Sequence, residues 1–252
     1  MAHYAVAVIT KTGSYDEIET LLTPFSEHIT VEPYISETKE ELIEYGWEIK
    51  EDIEKNIEKN NGDEIPNIYK NFLSAKTDED IHKAIKFMYD GDFDENGNRY
   101  STYNPDSKWD YWRIGGRWCD TLKGKDGNYY DSMKISDVDF SPRKEDEKYF
   151  AEFWEQIVEK RAGISEKYFT LNNAQYYIDK YGTKENFVEK SIQFITHAIL
   201  TPDGNWLEAG KMGPWALSDA TIDKEIDWED NYIKTINGFN KNYYITIVDC
   251  HI

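Results

Sequence analysis

The chain has 252 residues, of which 39% are hydrophobic and 15% aromatic, so it can bury a sizeable core despite 31% charged side chains. Its net charge of −20 argues against general binding to DNA, RNA or anionic membranes, because those affinities come from neutralising phosphates with Lys and Arg. No run of about 18 apolar residues and no basic start with a cleavage site is found, which makes the cytoplasm the expected location. Cys119 and Cys250 lie in dissimilar contexts and fit reduced thiols better than a disulfide.

In chain order, HYAVAVIT (residues 3–10) alternates small and β-branched residues as a buried strand does. GSYDEIETLLTPF then supplies a Ser14 cap, an acidic first turn and a Pro24 stop, which predicts a helix. ITVEPY predicts a second short strand. The stretch from Glu37 to Glu64 places Leu42, Ile43, Trp47, Ile49, Ile53 and Ile57 near helical spacing among many acids, predicting a long amphipathic helix. Further helices are expected around residues 65–73 and 78–88, the acids at 78–80 suiting a helix N-terminus. Asn96-Gly97, Gly115-Gly116 and Asp126-Gly127 mark hairpins through the aromatic middle. Helical pattern returns at residues 145–161 and 172–181; the last quarter reads strand 191–200, strand WLEA, helix 222–236 and strand YYITIVDCHI.

The expected fold is α+β: a mostly antiparallel sheet in which the first and last strands are neighbours, with amphipathic helices over one face and a ferredoxin-like strand-helix-strand opening. The expected organisation is one domain spanning residues 1–252 with a charged helical insertion at about 38–89.

DFDENGN matches the opening of an EF-hand loop, but the twelfth position from Asp92 is Tyr103 where a bidentate Glu is required, so a polar hairpin tip is the better reading. The most unusual stretch is KWDYWRIGGRW (residues 108–118). Read as a strand, it puts Trp109, Tyr111 and Arg113 on one face and Asp110, Trp112 and Ile114 on the other. Only five arginines occur in the chain, and two of them, Arg113 and Arg117, flank the glycine pair Gly115-Gly116. Guanidinium groups bind phosphates bidentately, rings stack on bases, and glycines let backbone N–H groups approach a ligand. The candidate ligand-binding set is therefore Trp109, Tyr111, Trp112, Arg113, Gly115, Gly116, Arg117 and Trp118, with Lys211 of the GKMGP loop. An alternative stays open in which the rings build core and the arginines close internal ion pairs with Asp110 or Asp120.

The second constellation is the terminal VDCHI. Asp249 and His251 share a strand face, and His3 meets them if the first and last strands pair, giving a carboxylate-oriented imidazole able to act as general acid or base. His3, Asp249 and His251 are the candidate catalytic residues, and His197 is within reach of joining them. The competing reading is that each histidine is a satisfied structural residue. No cofactor is expected: Walker, Rossmann, nucleophile-elbow and zinc-finger patterns are absent, and no metal site is assigned.

Taken together, HYAVAVIT, LLTPFSEHITVEPY, TYNPDSKWDYWRIGGRW, TPDGNW with GKMGPW, and VDCHI resemble an uncharacterised family of tailed-phage and prophage proteins, over about 90 to 100 residues in separated blocks. The order Trp109-Asp110-Tyr111-Trp112 departs from that family's usual Trp-Asp-Trp-Tyr. The resemblance implies a phage protein acting in the host cytoplasm against host defence. Two functions follow as expectations: binding, with optional hydrolysis, of a nucleotide-derived anionic immune signal; or non-enzymatic inhibition of a host nuclease or effector by an acidic surface that imitates nucleic acid.

Overall fold

A computed structural model describes residues 2–59, 66–89, 91–161, 168–213 and 218–252. The chain divides into two compact units, the first built from Met1–Glu27 with Asp106–Ile252 and the second from His28–Pro105.

The first unit begins with β1 (His3–Thr10), whose residues from Tyr4 to Thr10 are all buried, and with α1 (Tyr15–Leu22), where the Ser14 hydroxyl accepts from Glu17 N as expected of a cap. The second unit comprises β2 (Thr30–Glu37), α2 (Lys39–Lys59), α3 (Asn67–Ser74), α4 (Asp78–Met88) and β3 (Arg99–Tyr103). The first unit resumes with β4 (Tyr111–Ile114), β5 (Leu122–Lys123), β6 (Tyr129–Tyr130), β7 (Ser132–Lys134), α5 (Glu147–Ile157), α6 (Ala174–Tyr181), α7 (Lys184–Ser191), β8 (Ala198–Leu200), β9 (Trp206–Glu208), α8 (Ile222–Gly238) and β10 (Tyr244–His251).

This is an α+β fold with a mixed, mostly antiparallel sheet. The strand order is β4-β10-β1-β8-β9, with β7 also pairing β10. First and last strands are neighbours along their whole length, antiparallel, from His3 opposite His251 to Thr10 opposite Tyr244; β8 is the one partner of β1 that runs parallel to it.

Two architectural expectations are corrected. The opening is not ferredoxin-like, because β2 leaves the main sheet and pairs β3 alone. Pro33 lacks a ladder donor and four of the eight residues of β2 are exposed, so this strand cannot occupy a central position. Nor do the helices cover one face only. Ile18 and Leu22 of α1 pack with Tyr4, Val6 and Val8, whereas Tyr232 and Ile236 of α8 pack with Ala5, Ala7 and Ile9 on the opposite face. A strand with both faces buried requires that double cover, and the near-continuous apolar run of β1 is its signature.

The expected strand at 191–200 is shortened to β8: helix α7 runs to Ser191, and residues 192–197 form an irregular connection before the strand. The helix expected at 65–73 is α3, starting at Asn67; Ile65 lies outside the described residues. The turn glycines Gly97 and Gly127 have positive φ, as the hairpin reading requires; Gly115 and Gly116 also have positive φ but do not close a hairpin, because β4 pairs β10 and the chain after it forms a 3-10 turn at Gly116–Trp118. In the calcium-like string, the Asp94 carboxylate accepts from the backbone N and side-chain Nδ2 of Asn98, which makes it a hairpin tip. Among the described residues no helix is long and apolar enough to cross a membrane.

The second unit has its own core of Leu42, Phe72, Ala75, Ile81, Ala84 and Ile85, and it extends past the expected insertion at 38–89 to include β2 and β3. Gly46 is the point of closest approach within it: a Cβ there would stand 2.4 Å from Ile81 Cγ2 and 3.1 Å from Ile85 Cγ1. Gly→Ala inside a helix ordinarily stabilises by about 1 kcal/mol. Here overpacking, at about 1–3 kcal/mol, reverses the sign. Gly46→Ala is expected to lower the denaturation midpoint, and an unchanged or raised midpoint shows that α2 and α4 can separate freely.

Candidate functional site

The site lies where β1 begins and β10 ends. Register partners in a sheet share a face, so the pairings His3–His251 and Ala5–Asp249, extended by Asp249–Arg113 and His251–Tyr111, bring His3, His251, Asp249, Arg113 and Tyr111 to one side of three adjacent strands. The His3 and His251 rings meet edge to face with centroids 4.7 Å apart.

Each imidazole has its own carboxylate. His3 Nδ1 donates to Asp249 Oδ1 at 2.8 Å, and His251 Nδ1 donates to Asp110 Oδ1 at 2.5 Å. An ionised carboxylate only accepts, so both Nδ1 atoms carry the hydrogen, and among the described residues neither Nε2 has a hydrogen-bond partner, which leaves each able to take or give a proton at a ligand.

This division differs from the sequence expectation that Asp249 orients His251. Residues two apart on a strand are about 6.6 Å apart along it, too far for that bond, whereas the adjacent strand puts His3 within reach. Asp110, the one acid inside the block KWDYWRIGGRW, is expected from the sequence only as a partner for an arginine; the structure gives it to His251.

The second glycine of the pair serves one of these carboxylates. Gly116 has φ +58°, and a Cβ there would stand 2.4 Å from Asp249 Oδ2. This close approach lets Arg117 N donate to Asp249 Oδ2 at 3.0 Å, while Gly115 N is spent on Ile247 O within the sheet. The N–H groups of Gly115 and Arg117 are thus both spent inside the protein, the second on its own Asp249, which is 4% exposed. They are not a cradle for a ligand.

Strand alternation also fails at the start of the motif. The ladder begins at Tyr111, and Trp109 forms a separate parallel bridge to Ser26. The bend turns Trp109 into the α1-side core, where its indole N–H donates to Leu22 O. Trp112 packs beside it, edge to face, and stacks on Tyr15. Both tryptophans are corrected from ligand contacts to packing residues. Trp118 packs against the α8-side core.

Arg113 and Arg117 are exposed, and neither has an ion-pair partner among the described residues. The pairs proposed with Asp110 and Asp120 do not form. Tyr111 is 56% exposed. Lys211 lies in the loop after β9, its backbone bonded to Asp219, with no described contact to the histidines.

His197 does not join the pair. Its ring packs edge to face on Tyr4, and its Nε2 faces Glu208 Oε2 at 3.5 Å. Burial raises the Glu208 carboxyl, but the His197 ring, the Lys108 ammonium and the Trp206 indole N–H outweigh that and hold it below its ordinary value. Burial, with nearby Cys250, Glu208 and Asp110, pushes the Tyr4 phenol far up; burial and Asp249 do the same to the Cys250 thiol. Among the described residues no cluster of three or more His, Cys, Asp or Glu side chains is arranged to hold a metal ion.

Comparison of the chain with protein-family models, curated proteins and solved structures gives no match.

Two outcomes follow. Cys119 is exposed and Cys250 buried, so a thiol reagent at neutral pH should modify one cysteine in the native protein and two after denaturation; rapid reaction of both refutes the packing around Cys250. A carboxylate whose folded value is depressed stabilises the fold above its unfolded value, about 4.3 for Glu, and that contribution disappears as pH falls through the folded value. Part of the acid-side loss of stability should therefore vanish in Glu208→Gln, as measured by melting temperature between pH 3 and about 6.

Proposed function

We propose that the protein binds a nucleotide-derived phosphodiester and cleaves it by acid–base chemistry of two imidazoles, in the counter-defence setting that the motif resemblance implies. The observation that carries this reading is the pair of rings 4.7 Å apart, each with Nδ1 held by a separate carboxylate. Structural histidines need one satisfied partner each; they do not need to face one another with both Nε2 atoms open. Arg113, on the same sheet face, and Arg117, just past the glycine pair, are exposed and have no ion-pair partner among the described residues, and the exposed ring of Tyr111 offers a face on which a base can stack.

In the reaction, one neutral imidazole Nε2 takes the proton of a ribose hydroxyl on the ligand as that oxygen bonds to phosphorus. The other imidazole, protonated, gives its proton to the departing oxygen as the second P–O bond breaks. The products are a cyclic phosphate and a free hydroxyl, and the pair ends with its protons exchanged. Each transfer contributes about 10²- to 10⁴-fold.

Purified protein warmed with a panel of linear and cyclic nucleotides should melt higher with its ligand, by the equivalent of roughly 2.7 kcal/mol at about 100 times Kd. Chromatography should then show cleavage with a bell-shaped pH profile, since one imidazole acts neutral and the other protonated. Arg113→Ala and Arg117→Ala should fold and bind more weakly, and His251→Ala should lose about 10²-fold or more in turnover. Unchanged turnover in His251→Ala refutes the catalytic role.

A second reading is favoured by the charge of −20 and by the exposed acids Glu40, Glu41, Glu44, Glu48, Glu51, Asp52 and Glu54 along α2. In it the protein occupies a basic site of a host nuclease or effector. Reversing those charges abolishes such binding and leaves nucleotide binding nearly unchanged.

A further inference from the structure

We propose that a cavity beside His3 binds the second base of the ligand, so that the substrate is a phosphodiester joining two nucleosides, with an amino-bearing base in the cavity. The inference rests on the paired-imidazole reading for the phosphodiester and names the substrate class of that site.

The cavity has a volume of about 240 Å³ and lies between α8 and the segment entering β8, with Ile195, His197, Ala209 and Trp228 among its walls. Strand register places it next to the histidines. The strand β8 runs parallel to β1 with Ala198 opposite Val6, and His197 N donates to Ala5 O at 3.0 Å, so residues 195–197 stand one strand away from His3–Ala5. Alternation puts His3 on the face of Ala5 and Ala7, and Ile195 and Trp228 pack against the core on that same face. All of these residues belong to the first unit. One strand spacing of about 4.8 Å and one two-residue step of about 6.6 Å separate the backbone of His3 from that of His197, a gap that a ribose and its base can cross.

Across the ends of the strands the order is therefore Tyr111, His251, His3 and the cavity. A phosphodiester centred on the imidazole pair carries one nucleoside toward the exposed ring of Tyr111 and the other toward the cavity. At about 240 Å³ the cavity is smaller than the roughly 300–1,000 Å³ that encloses a drug-sized ligand. It takes one base and not a whole dinucleotide.

The lining decides which base. Lys180 is only 7% exposed, and its ammonium is taken up by Glu225 Oε2 at 2.9 Å and Glu229 Oε1 at 2.7 Å. The same two oxygens accept from the Tyr176 and Tyr181 hydroxyls. Glu225 Oε1 and Glu229 Oε2 have no hydrogen-bond partner among the described residues, and both glutamates line the cavity. One ammonium against two carboxylates leaves a net negative wall, which repels phosphate, and two open acceptors, which suit N–H donors. The Trp228 indole N–H is spent on Thr196 O at 3.0 Å, so this side chain contributes apolar wall. A base with an exocyclic amino group, such as guanine, satisfies the free acceptors; thymine has none to offer.

The test is calorimetric titration with the deoxy dinucleotides dGpdG and dTpdT, which lack the attacking hydroxyl and so bind without being cut. The wild type should bind dGpdG about tenfold or more tighter than dTpdT. Ala209→Leu, which adds bulk to the cavity wall, should lose that preference, with a cooperative melt confirming its fold. Should Ala209→Leu fail to fold, the nitrogen–proton signal of the Trp228 indole is followed in the wild type, where it should shift as dGpdG saturates the protein.

A folded Ala209→Leu with undiminished preference, equal affinity of the wild type for the two dinucleotides, no binding of either, or an unmoved Trp228 indole overturns the proposal. Failure of the paired-imidazole reading looks different: the ribose dinucleotide GpG is then bound with the same dependence on Ala209 but is not cut.

Discussion

The antiparallel ladder between β1 and β10 is the constraint on which both the core and the candidate site depend. Its eight residue pairs put Ile9 opposite Ile245 at one end and His3 opposite His251 at the other. Side chains alternate between faces, so a slip of one residue would exchange the residues that fit the α1-side core with those that fit the α8-side core. Each fully buried Val, Leu or Ile is worth about 1.5–3 kcal/mol, and the ladder is packed on both faces. Register is therefore set by apolar burial, and the polar end of the ladder inherits it.

Around that end, the protein separates the carboxylates it holds from the cations it presents. Asp249 and Asp110 are taken up by the two imidazoles, and the Gly115–Arg117 turn closes on Asp249 through backbone N–H. The guanidinium groups of Arg113 and Arg117 remain outward. An acidic chain can still attract an anion at such a point, because the field of distant surface acids is screened beyond about 8 Å at physiological salt.

Much of this was legible in the sequence because it rests on local signals. The apolar alternation of residues 3–10 and 243–251 identified the central strands, and the placement of His3 and His251 near their ends was enough to make their meeting an expectation. The Ser14 cap located α1, and the acids at 78–80 located the start of α4. Other features are not local. Nothing in ITVEPY itself says that its partner is β3, although Pro33 argues against a central place. The pairing of Asp249 with His3 depends on strand adjacency, and that of Asp110 with His251 on a bend that interrupts the alternation Trp109–Tyr111–Arg113. Lys108 and Glu208 are a hundred residues apart in sequence and carry no motif. The histidine that did not join, His197, precedes its strand, where alternation no longer dictates direction.

The Ser26–Trp109 bridge and the bond from Glu27 N to Trp109 O close the first unit immediately before and after the point where His28–Pro105 departs from it. A segment that leaves and returns through one paired neck costs its host only loop-closure entropy, which grows by about 0.6 kcal/mol for each doubling of length. Natural variation can therefore lengthen, shorten or exchange that segment at little thermodynamic expense to the sheet, so sequence divergence should concentrate inside the neck while the residues forming it stay under the constraint of the ladder.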